Sequence, residues 1–372
     1  MERLQSLREQ FPITRNKVFM NHAAISPYPK PVLEAMQEHI EEFSEFGTIS
    51  GNLDDLRKPF AKLVNRKLDE IALVPNTSTG LNIVANMLNC PSGSNIVVAD
   101  IEYPSVVYPW LKKKARVDVR YVKNVHGRIL LNDVKKAVDD KTVVIAISHV
   151  EYANGFRNDL DSLAKIAHEH GAFLLVDAIQ SAGAMQLDVK RDNVDFLTAA
   201  CYKWLLGPAG AGFLYMRKEL VEEFEPPFVG WASVKPEVFE TIDLWDVWSL
   251  DLSETASRFE VGSPSIISFI GAAAAIQLLL NVGIANIERR ILHLTEHLMD
   301  EMEQRGFESQ TPRDQECRSG ITNFLIDRPE ERVEQLLKKG IIVSARAHGI
   351  RISPHFYNTE EEIDRFVAEL SA

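Results

Sequence analysis

Residues 173–212 read FLLVDAIQSAGAMQLDVKRDNVDFLTAACYKWLLGPAGAG. Two short apolar runs within this stretch, Phe173–Asp177 and Phe196–Ala200, have the length and composition of buried strands. Asp177 ends the first run, and Lys203 follows shortly after the second. Because neighbouring parallel strands end at the same edge of a sheet, the spacing predicts that this carboxylate and this amine face each other there.

The same pattern continues on the amino-terminal side of this stretch. The runs Ile96–Asp100 and Val143–His149 also have the length of strands, and Leu160–His170 places its apolar residues on one helical face. Asn76-Thr77-Ser78-Thr79-Gly80 opens another helix. Strands that alternate with helices are typical of a mainly parallel sheet covered on both faces, so the sequence predicts an α/β fold.

A second unit is predicted after an irregular segment at residues 226–257, which holds Trp231, Trp245 and Trp248. Beyond Arg258 the sequence predicts an α+β pattern of two helices and short strands, at Ile266–Val282, Ala285–Arg305, Ile321–Ile326 and Gly349–Ser353. We therefore expect three parts: an amino-terminal segment 1–15 that packs on the small domain, a large domain 16–257, and a small carboxyl-terminal domain 258–372.

Composition and charge exclude several classes of protein. Of 372 residues, 45% are hydrophobic and 25% charged, as in soluble globular chains, and the formal net charge of −12 opposes binding to nucleic acid. Ile266–Val282 is apolar but short for a membrane span, and Met1–Gln10 mixes charges, unlike a signal peptide. The three cysteines have no CxxC spacing, which suits a reducing cytoplasm and indicates neither a disulfide framework nor a zinc site.

The pair Asp177 and Lys203 has the chemistry that pyridoxal phosphate requires. The cofactor needs an amine that forms an imine, or Schiff base, and a carboxylate that keeps its pyridine nitrogen protonated. The freed amine can then move the α-proton of an amino acid, since burial lowers its pKa toward neutrality. The alternative interpretations are a helix-capping Asp and an ordinary buried Lys.

The motifs around these residues resemble the class V aminotransferase family. They are Val176-Asp177-Ala178-Ile179-Gln180-Ser181 and Cys201-Tyr202-Lys203-Trp204-Leu205-Leu206-Gly207-Pro208, and the resemblance extends from Asn21-His22-Ala23 through Arg258–Ser263 to Arg351–Asn358. This family also contains cysteine desulfurases, kynureninases and isopenicillin N epimerases. The resemblance implies a fold-type I pyridoxal-phosphate enzyme with a large domain around a mainly parallel seven-stranded sheet and a smaller α+β carboxyl-terminal domain.

The resemblance also implies roles around the cofactor. Lys203 matches the Schiff-base lysine, Asp177 the partner of the pyridine nitrogen, Gln180 a donor to the phenolic oxygen, and Tyr103 the ring stacked over the pyridine. Thr77, Ser78 and Tyr202 match phosphate contacts, and hydroxyls at a helix N-terminus do favour anions, although a plain helix cap is the competing interpretation. Many relatives have a serine that contacts the phosphate at the position of Ala200, and this chain lacks that contact.

Further residues match the family's substrate pocket and its dimer contact. Arg351 matches the arginine that grips the substrate's α-carboxylate, for which a planar bidentate donor is suited. Asn21, His22, Tyr152 and Asn154 fall where other pocket residues lie. Gly262 and Ser263 match a stretch that reaches the phosphate of a neighbouring subunit, which implies a homodimer with shared active sites.

The reaction is less defined than the cofactor. We expect amino transfer between a small amino acid and a 2-oxo acid, with epimerisation, racemisation or β-lyase chemistry as the alternatives. Desulfurase activity is disfavoured because Gly340–Ile350 lacks the nucleophilic cysteine that desulfurases carry there. A catalytically silent scaffold that only binds pyridoxal phosphate is a further alternative, which the retained Lys203 argues against.

Two other kinds of site are disfavoured. The glycines of Gly207–Gly212 do not follow the GxGxxG spacing of a dinucleotide loop. His168 and His170 are two residues apart on a helix, so their side chains point in different directions. No metal site is predicted.

Overall fold

The computed structural model describes residues 2–47, 52–235, 238 and 248–371. Its strands are β1 Val18–Phe19, β2 Ile71–Val74, β3 Ser94–Ala99, β4 Val117–Val122, β5 Thr142–Ser148, β6 Phe173–Asp177, β7 Phe196–Ala200, β8 Gly212–Met216, β9 Thr322–Leu325, β10 Ile341–Ile342, β11 Ser344–Arg346 and β12 Gly349–Ile352. Its α-helices are α1 Glu2–Arg8, α2 Lys30–Phe46, α3 Leu53–Leu63, α4 Thr77–Met87, α5 Pro104–Leu111, α6 Leu131–Ala137, α7 Leu160–Glu169, α8 Lys218–Glu223, α9 Ile266–Val282, α10 Ile284–Gln304, α11 Pro329–Lys338 and α12 Glu360–Ser371.

The large sheet contains seven strands in the order β2-β8-β7-β6-β5-β3-β4. Strand β8 runs antiparallel to both of its neighbours, and the other pairs are parallel. Leu174 and Val176 belong to one apolar cluster and Leu175 to another, because alternate side chains of a strand point to opposite faces. The predicted α/β fold with a mainly parallel, doubly covered sheet is confirmed, and the carboxyl ends of β2 to β7 meet at one edge.

The carboxyl-terminal part forms the predicted α+β unit. Strands β11, β12 and β9 make an antiparallel sheet in that order, and its apolar core includes residues of α10 and α12. Strand β1 pairs in parallel with β10, so residues 18 and 19 contact this unit although the predicted division at residue 16 places them in the large domain. The division itself stays a prediction.

The amino-terminal segment is tied to the carboxyl-terminal unit. Phe11 stacks on Tyr357 with ring centroids 3.8 Å apart, and Arg8 forms an ion pair with Glu362 at 2.5 Å. Residues 8 and 11 thus contact the carboxyl-terminal unit, and the assignment of residues 1–15 to a separate segment stays a prediction.

Helix α9 is the apolar segment that the sequence predicts to be buried. It packs against α2 and α3, and a Cβ on Gly271 would lie 2.7 Å from Cγ of Pro208 and 2.9 Å from Sδ of Met36. Only glycine permits so close an approach. Within the described ranges no single helix is long and apolar enough to cross a membrane, and α9 and α10 meet that test only as a pair bent by 80°.

The irregular segment before the small domain is described only in part. Trp231 opens a short 3-10 turn that ends at Ser233, and Trp248 is exposed. Trp245 lies outside the described residues. Another 3-10 turn, Ala256–Phe259, occupies the predicted boundary near Arg258.

Candidate active site

Asp177 and Lys203 lie at the same edge of the large sheet, as the spacing predicts. Asp177 is the last residue of β6, and Lys203 lies in the turn after β7; the side chains are almost entirely buried. Burial raises the pKa of Asp177 to about 6 and lowers the pKa of Lys203 to about 8, and each charge partly offsets the shift of the other. The site therefore holds an amine that is partly unprotonated near neutral pH, beside a buried carboxylate.

Two tyrosine rings flank the amine of Lys203. Its Nζ lies 5.6 Å from the ring centroid of Tyr103 and 5.8 Å from that of Tyr202. Tyr103 precedes the first residue of α5 and is 45% exposed, so its ring lies at the entrance to the site. Burial raises the pKa of the Tyr202 phenol. Both rings therefore lie close to the amine of Lys203, and their contact with a cofactor stays a prediction.

The N-terminus of α4 supplies a place for an anion at this edge. Asn76 caps the helix by accepting a hydrogen bond from the Thr79 amide at 2.9 Å. A Cβ on Gly80 would lie only 2.3 Å from Oγ1 of Thr198 on β7, so the glycine brings the first turn of the helix against the sheet.

The hydroxyl groups at this helix end fit a cofactor phosphate. The Thr77 hydroxyl is buried and has no hydrogen-bond partner, and the Ser78 hydroxyl bonds that of Ser105 at 2.8 Å. A free buried hydroxyl beside unpaired helix amides favours a negatively charged group.

Gln180 is held in place by two contacts. Its Nε2 donates to the carbonyl oxygen of Ala23 at 3.0 Å, and its Oε1 accepts from the indole of Trp204 at 3.0 Å. One hydrogen of the side-chain amide remains to donate to a cofactor.

Arg351 is a buried guanidinium without a carboxylate partner. It lies on β12 and is 2% exposed, its Nη1 donates to the Tyr152 carbonyl oxygen at 2.8 Å, and its Nε has no partner. Among the described residues no Asp or Glu forms an ion pair with it, and burial together with Arg346 lowers its pKa to about 10. A buried cation left in this state favours a carboxylate ligand.

The other predicted pocket residues differ in what they contact. The Tyr152 ring packs edge-on against Tyr103 with centroids 5.3 Å apart, and the Oδ1 of Asn21 is buried without a partner. Asn154 donates to the Gly127 carbonyl oxygen at 2.7 Å and accepts from the Phe156 amide, so its side chain ties two loops together.

His22 is buried and bonded through both of its ring nitrogens. The ring is not exposed, its Nδ1 bonds the Ser353 carbonyl oxygen at 3.0 Å, and its Nε2 bonds the Tyr357 hydroxyl at 2.9 Å. Burial holds its pKa well below the usual value. Both ring nitrogens therefore have partners within the protein, and a contact between His22 and a substrate stays a prediction.

Gly262 and Ser263 do not join the cluster around Lys203 within the chain. Ser263 is exposed, and a Cβ on Gly262 would lie 3.5 Å from the Trp231 indole nitrogen. Ala200 is buried in β7 and carries no polar group, so the lost phosphate contact has no substitute at this position.

Two buried glutamates at the site were not assigned from the sequence. Glu102 accepts from the amide of Ser148 at 2.5 Å and from its hydroxyl at 2.6 Å, and burial raises its pKa to about 8. Glu151 accepts from Asn158 at 2.9 Å, and burial raises its pKa well above the usual value. Each precedes a site tyrosine, and this repeated Glu-Tyr dipeptide at a strand exit is the signal that could have identified them.

Comparisons with known proteins agree with this geometry. The family model described as aminotransferase class-V matches residues 18–366. An uncharacterized aminotransferase of Bacillus subtilis is 30% identical over 377 residues, covering 100% of this chain and 99% of that protein. A probable cysteine desulfurase of Pyrococcus abyssi is 31% identical over 400 residues, covering 98% and 96%.

Solved structures give the same fold over nearly the whole chain. An apo cysteine desulfurase from Thermococcus onnurineus NA1 has a TM-score of 0.88 and 29% identity, covering 98% of this chain and 96% of that one. A cystine C–S lyase bound to its product cysteine persulfide has a TM-score of 0.89 and 26% identity, covering 97% and 99%. A structure of a mutant of the lyase, with a TM-score of 0.89 and 25% identity, covers 98% of each chain and has glycine covalently linked to its pyridoxal-phosphate cofactor.

Proposed function

Because the chain belongs to the class-V aminotransferase family of pyridoxal-phosphate enzymes, we propose that it transfers an amino group from a small amino acid to a 2-oxo acid. The observation that supports amino-acid binding is that a buried amine and a buried guanidinium lie at the same site. A partly deprotonated Lys203 lies at the same site as Arg351, a guanidinium without a counter-ion among the described residues. An α-amino acid presents a carboxylate and an α-proton to such a pair.

The polar groups at the sheet edge fit the cofactor. We assign its aldehyde carbon to Lys203, its ring nitrogen to Asp177, its phenolic oxygen to Gln180, its ring face to Tyr103, and its phosphate to Thr77, Ser78 and Tyr202. The bound cofactor supplies an electron sink that makes the α-proton of an amino acid acidic.

The protein's own groups then bind, orient and move a proton. Arg351 binds the α-carboxylate with a planar donor pair, which fixes the direction of the bond to the α-hydrogen. The Lys203 amine accepts this proton and would pass it to the carbon of the cofactor that carried the aldehyde, which leaves the amino group on the cofactor; its pKa of about 8 keeps a useful fraction of the amine unprotonated near neutral pH. The rings of Tyr103 and Tyr152 narrow the entrance and exclude water.

A β-lyase is the second candidate, and the likeness to the cystine C–S lyase favours it. The two reactions differ in the form of the cofactor after one turnover. Amino transfer leaves the amino group on the cofactor until a 2-oxo acid removes it. Elimination returns the cofactor to its starting form in each turnover and releases both an oxo acid and ammonia. Epimerisation also returns the starting form, but it inverts the substrate.

A single-turnover experiment on the purified holoenzyme tests the proposal. Each amino acid of a panel is added without a 2-oxo acid, and the visible spectrum and the products are recorded. We expect the yellow absorbance to disappear with one equivalent of oxo acid formed, and a 2-oxo acid to restore it. Continuous release of oxo acid and ammonia, or inverted amino acid, with the yellow form retained would overturn amino transfer.

Cysteine desulfurase activity is not excluded by the comparisons, since several relatives bear that name. The side chains in this chain give it little support. Cys201 is fully buried, and burial raises the pKa of its thiol, while Cys317 donates to the Asp314 carbonyl oxygen. The β11–β12 hairpin that occupies residues 344–352 contains no cysteine.

We therefore expect Cys317→Ser and Cys201→Ala to leave the amino-transfer rate within about twofold of wild type, because neither thiol contacts the site residues. The measurement is steady-state turnover together with sulfide release from cysteine. Sulfide release that is present in wild type and absent in either variant would establish a desulfurase instead.

Replacing Arg351 by alanine is expected to weaken amino-acid binding on the order of 100-fold, because the α-carboxylate loses its charged partner. The cofactor remains bound, since Lys203 and Asp177 are unchanged. Spectral titration of the holoenzyme with an amino acid measures both effects. Arg351→Lys is the matched variant and should give an intermediate affinity, and unchanged affinity in Arg351→Ala would refute the assignment.

We also propose a homodimer in which Gly262 and Ser263 reach the partner's phosphate site. Exposed apolar side chains support a covered surface around this stretch, among them Phe228 at 56% and Val261 at 47%. Patches of this kind mark protein interfaces. The three free cysteines suit the reducing cytoplasm, which we propose as the location.

A further inference from the structure

Arg346 is a second arginine on the face of the small sheet that carries Arg351. Ser344 pairs with Arg351 and Arg346 with Gly349 in the antiparallel β11–β12 hairpin. Opposite residues in such a pair share a face, as do residues two apart on one strand, so Arg346 and Arg351 are diagonal neighbours on one face. The glycine opposite Arg346 leaves no side chain between the two guanidinium groups.

The backbone that carries Arg346 is fixed relative to the site. Asn323, which pairs with Arg351 on β9, donates through Nδ2 to the carbonyl oxygens of Arg346 at 3.0 Å and Ala153 at 2.8 Å. A Cβ on Gly349 would lie 2.4 Å from the Asn323 Oδ1, so only a glycine at this position leaves room for the Asn323 side chain. One asparagine thus ties the hairpin to the loop that carries Tyr152.

This face holds positive charge and polar groups without protein partners. Among the residues that the structure describes, no carboxylate forms an ion pair with Arg346, whose Nη1 bonds the Ala345 carbonyl oxygen. The Ser344 hydroxyl, opposite Arg351, is buried and has no partner. Arg346 also lies near enough to Lys203 and Arg351 to lower the pKa of both.

Arg346 is exposed, and a positive charge on the same face as the buried Arg351 repels it, which a bound anion would relieve. Arg351 alone suffices for an α-carboxylate, and α4 lies at the large sheet with its own phosphate-binding groups. A second guanidinium next to Arg351 therefore points to a second acidic group on the same substrate.

We propose that Arg346 binds the side-chain carboxylate of a dicarboxylic amino acid, while Arg351 binds its α-carboxylate. The Ser344 hydroxyl donates to either carboxylate. This proposal rests on the proposed amino transfer and narrows its substrate class to acidic amino acids and the corresponding dicarboxylic oxo acids.

The first test measures binding without reaction. Glutarate and its monoamide, glutaramate, have the same length and differ by one charge, and neither has an amino group. Spectral titration of the holoenzyme should show glutarate binding about 10- to 100-fold more tightly, the range expected for one charge-assisted contact. Equal affinities would overturn the proposal.

The second test compares variants. Arg346→Gln should remove the preference for glutarate over glutaramate and the matching preference in kcat/KM for glutamate over glutamine, and Arg346→Lys should restore part of both. Arg332→Gln is the control, because this arginine lies on α11 of the same unit and its guanidinium bonds Gln335 on the same helix. It should keep the wild-type preference, whereas a preference that survives in Arg346→Gln refutes the role of Arg346.

The two proposals fail in different ways. If amino transfer occurs equally well with neutral and acidic amino acids, the dicarboxylate site is wrong and amino transfer stands. If glutarate binds selectively through Arg346 but no amino acid reacts by amino transfer, the anion site stands and the proposed reaction is wrong.

Discussion

Replacing Lys203 by alanine is expected to abolish covalent attachment of the cofactor and to lower turnover by about 10⁴-fold or more, because in the proposed site one amine both holds the cofactor and moves the proton. Lys203 is the amine that the structure buries beside Asp177 with a pKa of about 8. Borohydride reduction followed by intact-mass measurement reads out attachment, and single-turnover kinetics read out the proton transfer.

The control for this variant is Lys190→Ala, an exposed lysine on the same domain. It should keep the yellow absorbance, the reduced-cofactor mass and the wild-type rate. A Lys203→Ala protein that still gains the cofactor mass after reduction, with a normal circular dichroism spectrum, would show that another lysine carries the cofactor.

The strands that could be predicted best are those whose ends coincide with a change from apolar to polar residues. Phe173–Asp177 and Phe196–Ala200 match the observed strands. The run predicted at Ile96–Asp100 begins at Ser94 instead, because backbone pairing with β4 continues through two polar residues. Hydrophobicity marks which residues face the core, and backbone pairing sets where a strand ends.

The predictions for the site were limited by contacts between residues far apart in the chain. Asp177, Lys203 and Arg351 lie in motifs that the sequence displays, and the structure buries all three. The engagement of His22 depends on Tyr357, and the position of Arg346 depends on Asn323. Neither contact leaves a local pattern, since long-range packing decides which polar groups remain free.

Three buried acids at the site differ in charge because their surroundings differ. Burial raises the pKa of Glu102 to about 8 and that of Glu151 well above normal, whereas Asp177, which lies near Lys203, reaches only about 6. At neutral pH the carboxylate of Asp177 is therefore the charged one. Burial favours the neutral form of both Glu102 and Glu151, and their side chains accept hydrogen bonds from Ser148 and Asn158.

Asp177→Asn is expected to reduce turnover at least about 100-fold, because a neutral amide cannot hold the ring nitrogen of the cofactor protonated. Asparagine keeps the size of the side chain and an oxygen that accepts from the Ile179 amide, as Asp177 does at 2.9 Å. The loss should therefore appear in the single-turnover rate, with the cofactor still covalently bound. Wild-type rates in this variant would refute the assignment of Asp177.

The same substitution should stabilise the cofactor-free protein at high pH. The folded-state pKa of Asp177 is raised from 3.8 to about 6, so folding favours the protonated acid, and this contribution is complete below about pH 4 and is lost as the pH rises through 6. The asparagine side chain of the variant cannot ionise, which should make the variant more stable by about 1–3 kcal/mol at pH 8. Urea unfolding of both cofactor-free proteins at pH 4 and pH 8 measures the difference, which should nearly vanish at pH 4. A variant that is less stable than wild type at pH 8 would show that the buried charge of Asp177 is compensated in the free protein, and that its environment is not organised around a cofactor.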